Sequence, residues 1–119
     1  MAELFIFARF HAQPHRADDV AAALCDVLAP TRSEPGCLDI RVHRALLDPL
    51  LFYIHSRWVD EAAFERHAGL PHTVHFIDRV QQLIDHPLEV TRTRPILEIR
   101  DAQPDDAAAA CQVLRRSIT

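Results

Sequence analysis

Residues 51–76, LFYIHSRWVDEAAFERHAGLPHTVHF, permit few folds. The segment opens as an apolar strand that closes on the only tryptophan, Trp58. Asp60 then has the side chain of a helix N-cap, and the short helix it starts carries Phe64 and His67 on one face. Gly69 ends that helix. Pro71 opens another, on which His72, His75 and Phe76 lie three or four residues apart and share a side. Strand, tryptophan, helices and histidines together predict one wall of a pocket.

The flanking sequence supplies the partners such a strand needs. Glu3 to Ala12 is dense in aromatic and branched residues and turns polar only at Arg9 and His11, which predicts a central strand. Pro14 can serve as the first residue of the helix that follows. Val20, Leu24, Val27 and Leu28 are spaced as the apolar stripe of that helix, with Asp18, Asp19 and Asp26 on its polar face. Cys25, with no basic partner nearby to favour its thiolate, reads as a small buried or half-buried side chain. Ser33 to Gly36 has turn chemistry, and Leu38, Ile40 and Val42 then alternate with Asp39, Arg41 and His43 as a half-buried strand. Asp48-Pro49 turns the chain into the strand Leu51 to Val59, where Phe52, Ile54, Ser56 and Trp58 share one face and Tyr53, His55 and Arg57 the other. The helix from Pro71 is expected to run to Ile84, buried through Phe76, Val80, Leu83 and Ile84. Leu88 to Ile96 predicts a fourth strand whose end Pro95 confines to an edge. The order strand, helix, strand, strand, helices, strand is the ferredoxin-like α+β arrangement, a four-stranded antiparallel sheet with helices on one face. Its other face would be bare, and its apolar side chains look too many for water, so a dimer packing sheet on sheet is expected.

Composition excludes several classes. A chain of 119 residues, 49% apolar and 25% charged, suits one globular core. A net charge of −4 argues against a general nucleic-acid binder, which needs clustered basic charge. No apolar run approaches the length of a membrane span, and the N-terminus lacks the features of a signal peptide. Three cysteines and no asparagine speak against a disulfide framework and N-glycosylation, so a reducing cytoplasm is the expected location.

A strand ending in Trp58, then Asp60-Glu61-Ala62-Ala63-Phe64, a helical His67 and the pair Pro71-His72, resembles the antibiotic biosynthesis monooxygenase family. Glu34-Pro35-Gly36-Cys37-Leu38 and Asp48-Pro49 resemble that family's turns into its second and third strands. The likeness spans roughly the first four fifths of the chain and implies a homodimer whose two sheets form an α+β barrel. It also implies a cofactor-independent monooxygenase, in which a small aromatic quinol or phenol, once deprotonated, itself reduces O2. On the residues alone Trp58 is a core tryptophan; the resemblance makes it a wall of the substrate cavity. It likewise makes His67 and His72 substrate-facing, where an imidazole suits proton removal from a phenol. The expected site is therefore His67, His72 and Trp58 in catalysis, with Ile54, Ser56, Phe64, Phe76 and Arg79 against the substrate. No cofactor is expected. No metal is expected either, because His72 and His75 could give two ligands but no Glu or Cys joins them on that helix. His75 reads as solvated, and His11, His43, His55 and His86, without a visible partner, as surface or interface residues. Two departures from the family pattern matter. Ser56 stands where many relatives carry Glu, which favours the alternative of a dimeric small-molecule-binding or sensing domain without turnover. The absence of Asn argues against the haem-degrading branch.

Residues 1–96 form the domain so described. Residues 97–119 predict a further strand around Glu98 to Asp101 and a helix from Pro104, and they resemble the start of an N-acetyltransferase domain. The glycine-rich loop which that chemistry needs is missing, since Gly36 and Gly69 are the only glycines. The extension is expected to be an added strand and helix or the start of a fused second domain, and a third role is then a module that dimerises an attached acetyltransferase.

Overall fold

The computed structural model describes residues 3–96. In chain order these form β1 (Leu4–His11), α1 (Ala17–Arg32), β2 (Cys37–Arg44), β3 (Leu51–Trp58), α2 (Glu61–Ala68), α3 (Pro71–Gln81) and β4 (Glu89–Thr93). The strands make one antiparallel sheet in the order β2-β3-β1-β4, so β1 is central, as its composition predicts. This is the ferredoxin-like α+β fold. The strand and helix expected within residues 97–119, and with them the acetyltransferase likeness, lie outside the described residues.

Strand parity decides what the helices cover. Leu4, Ile6, Ala8 and Phe10 of β1 and Phe52, Ile54, Ser56 and Trp58 of β3 are all buried on one side. Of these, Ala8, Phe10, Phe52 and Ile54 meet Val20, Ala23, Leu24 and Val27 of α1 and Phe76 and Val80 of α3 in the main core. A smaller cluster of Leu4, Ile6, Trp58 and Ala63 closes the far end under α2. Asp60 caps α2 as its side chain predicts, its Oδ1 accepting from the Ala63 N–H at 2.9 Å.

Some expectations need correcting. Pro14 does not begin α1: His15 takes a φ of 70°, which turns the chain, and the helix starts at Ala17. Helix α3 stops at Gln81 rather than Ile84, because the following backbone is used elsewhere. Ile84 pairs with Ala12, and Gln13 donates its N–H to the Leu83 carbonyl at 2.9 Å. Cys25 is exposed, one position off the apolar stripe of α1. His11 and His86 are not free surface histidines. His11 is hydrogen-bonded through Nδ1 to the Asp85 carboxylate at 3.0 Å and through Nε2 to that of Asp48 at 3.1 Å, and His86 Nδ1 meets Asp85 at 2.5 Å. The bare sheet face is less apolar than expected. Phe5, Phe7 and Tyr53 share it with Arg9, Arg41, His43, His55 and Arg57, and Phe7 packs edge-on to His55 at 4.8 Å. Burial, and next the neighbouring His43, hold the His55 imidazole below the ordinary histidine value.

Candidate functional site

Between the sheet and the helices lies a cavity of about 260 Å³ with a mainly apolar wall. Its floor is Ile6, Ala8 and Phe10 of β1, Ile40 of β2 and Ile54 and Ser56 of β3. Val27 and Thr31 of α1 and Phe76 and Ile77 of α3 form its sides. Phe64 and His67 of α2, with Thr73 of α3, close one end, and Leu88 and Val90 close the edge toward β4. Arg92, on β4, lies over the Phe64 ring at 5.2 Å and pairs with Glu65 at 2.6 Å, which ties the edge strand to α2.

Five of the eight residues expected at the site line this cavity: His67, Ile54, Ser56, Phe64 and Phe76. The other three stand elsewhere. Trp58 is fully buried behind the wall, its ring 4.7 Å from that of His67 and 5.7 Å from that of Phe64. Its Nε1–H donates to Ser56 Oγ at 3.0 Å. A serine, not a carboxylate, therefore satisfies the indole, and Trp58 supports the wall without forming its surface. His72 and Arg79 border a separate shallow groove with His75 and Asp26, and the Arg79 guanidinium is paired to Asp26 at 2.8 Å.

Local spacing does not reveal the residue that organises the imidazoles. Glu34, in the turn between α1 and β2, places Oε2 2.7 Å from His67 Nδ1 and 2.7 Å from His72 Nε2. Its side chain is only 7% exposed. A carboxylate can only accept, so each imidazole nitrogen that faces it carries the proton. Thr73 Oγ1 lies 3.2 Å from the same Nδ1. The remaining nitrogen of His67, Nε2, has no hydrogen bond among the described residues. The turn is fixed by contact as well as sequence. Gly36 has a φ of +94°, and a Cβ there would stand 2.7 Å from the Ala63 Cβ, so only glycine lets the turn lie against α2. The neighbouring Cys37 thiol is pushed up by burial and next by the Glu34 carboxylate.

One further polar group was passed over in the sequence. Thr31 lies four residues beyond Val27, on the buried stripe of α1, and is 0% exposed. Its Oγ1 has no hydrogen-bond partner among the described residues, yet Thr31 lines the cavity. A buried hydroxyl left in this way is destabilising unless something in the cavity meets it.

Among the described residues two clusters have the donors and proximity to hold a metal ion: Glu34, His67 and His72, and His11, Asp85 and His86, each with ligand atoms within 4.8 Å of one another. The expectation of no metal looked for a third ligand along α3, whereas the carboxylate comes from a distant turn.

The family model described as antibiotic biosynthesis monooxygenase matches residues 4–79. A Mycobacterium tuberculosis protein named "Putative monooxygenase Rv0793" is 28% identical over 93 residues, covering 78% of this chain and 91% of its own. The solved structure of Rv0793 superposes with a TM-score of 0.77 at 26% identity over 82% of this chain and 98% of that one. The crystal structure of PA3566 from Pseudomonas aeruginosa gives 0.76 at 29% identity, covering 82% and 97%.

Proposed function

The chain belongs to the antibiotic biosynthesis monooxygenase family, and from that premise we propose that it oxygenates a small aromatic quinol or phenol with O2, as a homodimer and without an organic cofactor. The observation that carries the reading is His67: an imidazole in the wall of a mainly apolar cavity, with Nδ1 anchored and Nε2 without a hydrogen bond among the described residues. A neutral imidazole so placed accepts a proton from a hydroxyl brought within reach. The resulting phenolate or quinolate is a good electron donor, and an apolar wall keeps water from the oxygenated intermediate.

The balance needs no further reductant when the substrate is a quinol. One quinol and one O2 give one hydroxylated quinone and one water, the quinol supplying all four electrons. The chain's own residues then have limited tasks. Ile54, Phe64 and Phe76 hold the ring by shape, His67 takes the proton, and the unpartnered Thr31 hydroxyl meets a second oxygen of the ligand. Among the described residues, no helix is long and apolar enough to cross a membrane.

Oxygen uptake with a panel of mono- and bicyclic quinols tests the reading. One O2 consumed per quinol, with one oxygen atom from labelled O2 in the product, supports it. If no quinol stimulates uptake while aromatic ligands still quench Trp58 fluorescence, the protein binds such molecules and does not oxidise them.

A further inference from the structure

We propose that Glu34, His67 and His72 form a proton-accepting unit that binds a phenolic ligand as its anion, with Glu34 as the residue that gives the unit this property. The inference rests on the cavity being the ligand site, and it can be tested without any turnover.

The geometry is that of one carboxylate oxygen shared by two imidazoles. Both contacts are 2.7 Å, short enough for charge-assisted hydrogen bonds, and Glu34 has no other side-chain hydrogen bond among the described residues. Among the described residues no arginine pairs with it; its counterparts are imidazoles, which are neutral or cationic according to whether they hold a second proton. Three separate segments supply the members, namely the turn after α1, the last turn of α2 and the first turn of α3. Gly36 and the Asp60 cap fix two of those segments where they meet.

The charge arithmetic explains what the carboxylate adds. With both imidazoles neutral, the unit carries one negative charge. When a phenol enters, its O–H bond breaks, the proton bonds to His67 Nε2 and the electron pair stays on the phenolate oxygen. The unit becomes neutral overall, an imidazolium set against the Glu34 carboxylate, and the ligand becomes the anion, so the net negative charge moves across the cavity wall. Without Glu34, the same transfer would build an unshielded imidazolium beside apolar side chains, which a low-dielectric site disfavours. His72 keeps the carboxylate aimed at His67, since its Nε2–H binds the same oxygen from the opposite helix. Glu34 and His72 are thus positioning residues, and His67 is the group that touches the ligand.

The probe is 4-nitrophenol, whose anion absorbs visible light and whose neutral form does not. It is titrated with protein below the pH at which the free compound ionises. Binding to the wild type should raise the phenolate fraction about tenfold or more, the effect of a one-unit shift or greater. Glu34→Gln should abolish that increase, and His72→Gln should reduce it. Glu34→Asp, with a shorter reach, should retain part of it. A bound but un-ionised phenol in the wild type overturns the proposal, and so does failure to bind. An unchanged phenolate signal in Glu34→Gln removes the role of Glu34; if that variant does not fold, the wild type, Glu34→Asp and His72→Gln decide. A signal lost on treatment with a chelator assigns the effect to a metal on the same three side chains and also overturns the proposal. Ionised ligand in the wild type with no oxygen uptake from any quinol leaves the unit standing and removes the monooxygenase reading.

Discussion

Thr31→Val should make the protein more stable and a poorer binder. The Thr31 hydroxyl is wholly buried and has no partner among the described residues, a condition that costs about 1–3 kcal/mol. Valine has nearly the same outline and replaces the stranded oxygen with a methyl group, which itself favours burial. Because the group lines a cavity and is not packed on all sides, the lower half of that range applies, and a gain of about 1–2 kcal/mol is expected. For a domain of this size, each 1 kcal/mol raises Tm by about 4–8 °C. Thermal unfolding followed by far-UV circular dichroism would show it directly. The loss appears in ligand binding: one neutral hydrogen bond contributes about 0.5–1.5 kcal/mol, so a two- to tenfold weaker Kd is expected for a ligand with two oxygens. Thr31→Ser, which keeps the oxygen, should retain binding. A lower Tm for Thr31→Val would mean that the hydroxyl already has a partner inside the cavity. A higher Tm with unchanged affinity would mean that no ligand oxygen reaches it.

Other perturbations test the frame around the site. Phe76→Ala should cost about 3 kcal/mol, the low end for a buried aromatic, since Phe76 packs edge-on to Phe10 at 5.9 Å but borders an existing cavity on one side; a denaturant midpoint shift equivalent to less than about 1 kcal/mol would contradict its place in the core. The contacts of His11, Asp85 and His86 should make stability depend on pH. The hydrogen bond that His11 donates to Asp85 raises His11 above 6.5, so this contribution is full below 6.5 and is lost as pH rises through the raised value. Partial burial pushes Asp85 upward, but its hydrogen bonds to His86 and His11 outweigh that and hold it below 3.8, so its contribution is full above 3.8 and is lost as pH falls through the lowered value. The difference in Tm between wild type and Asp85→Asn should therefore be greatest between 3.8 and 6.5; a difference that does not vary with pH would contradict the linkage. Light scattering at micromolar concentration should report twice the chain mass, and a stable monomer would exclude the proposed dimer.

Most of the fold can be read from short-range pattern. Alternation in β3, the Asp60 cap and the proline at the start of α3 are local signals, and the structure follows them; in β2 Ile40 is buried as expected, but a register irregularity between Cys37 and Asp39 leaves Leu38 exposed. The expectations that failed depend on distant partners. Nothing near Ile84 says that its backbone is needed by Ala12, and nothing near His11 shows Asp48 or Asp85. The site behaves in the same way. Phe64, His67 and Phe76 were legible from helical spacing, whereas Glu34 reads as a turn residue because its partners are 33 and 38 positions away. Arg79 is expected against the substrate, but Asp26 of α1 takes its charge. Thr31 was available in principle, as a polar residue on the stripe that includes Val27, and it lacked only a reason to be noticed.

The register of β1 also sets an order of events during synthesis. Residues 4–11 pair with 51–58 on one side and residues 5–9 with 89–93 on the other, so the first strand made is the last to be fully bonded. At roughly 5–20 residues per second, its aromatic stretch waits on the order of seconds for β3 and longer for β4. During that interval Phe5, Ile6, Phe7 and Phe10 are open to chaperones and to one another. Residues Leu88 and Val90, which close the cavity, arrive with β4. A nascent chain can thus bring Glu34, His67 and His72 together while the chamber beside them still lacks its last wall.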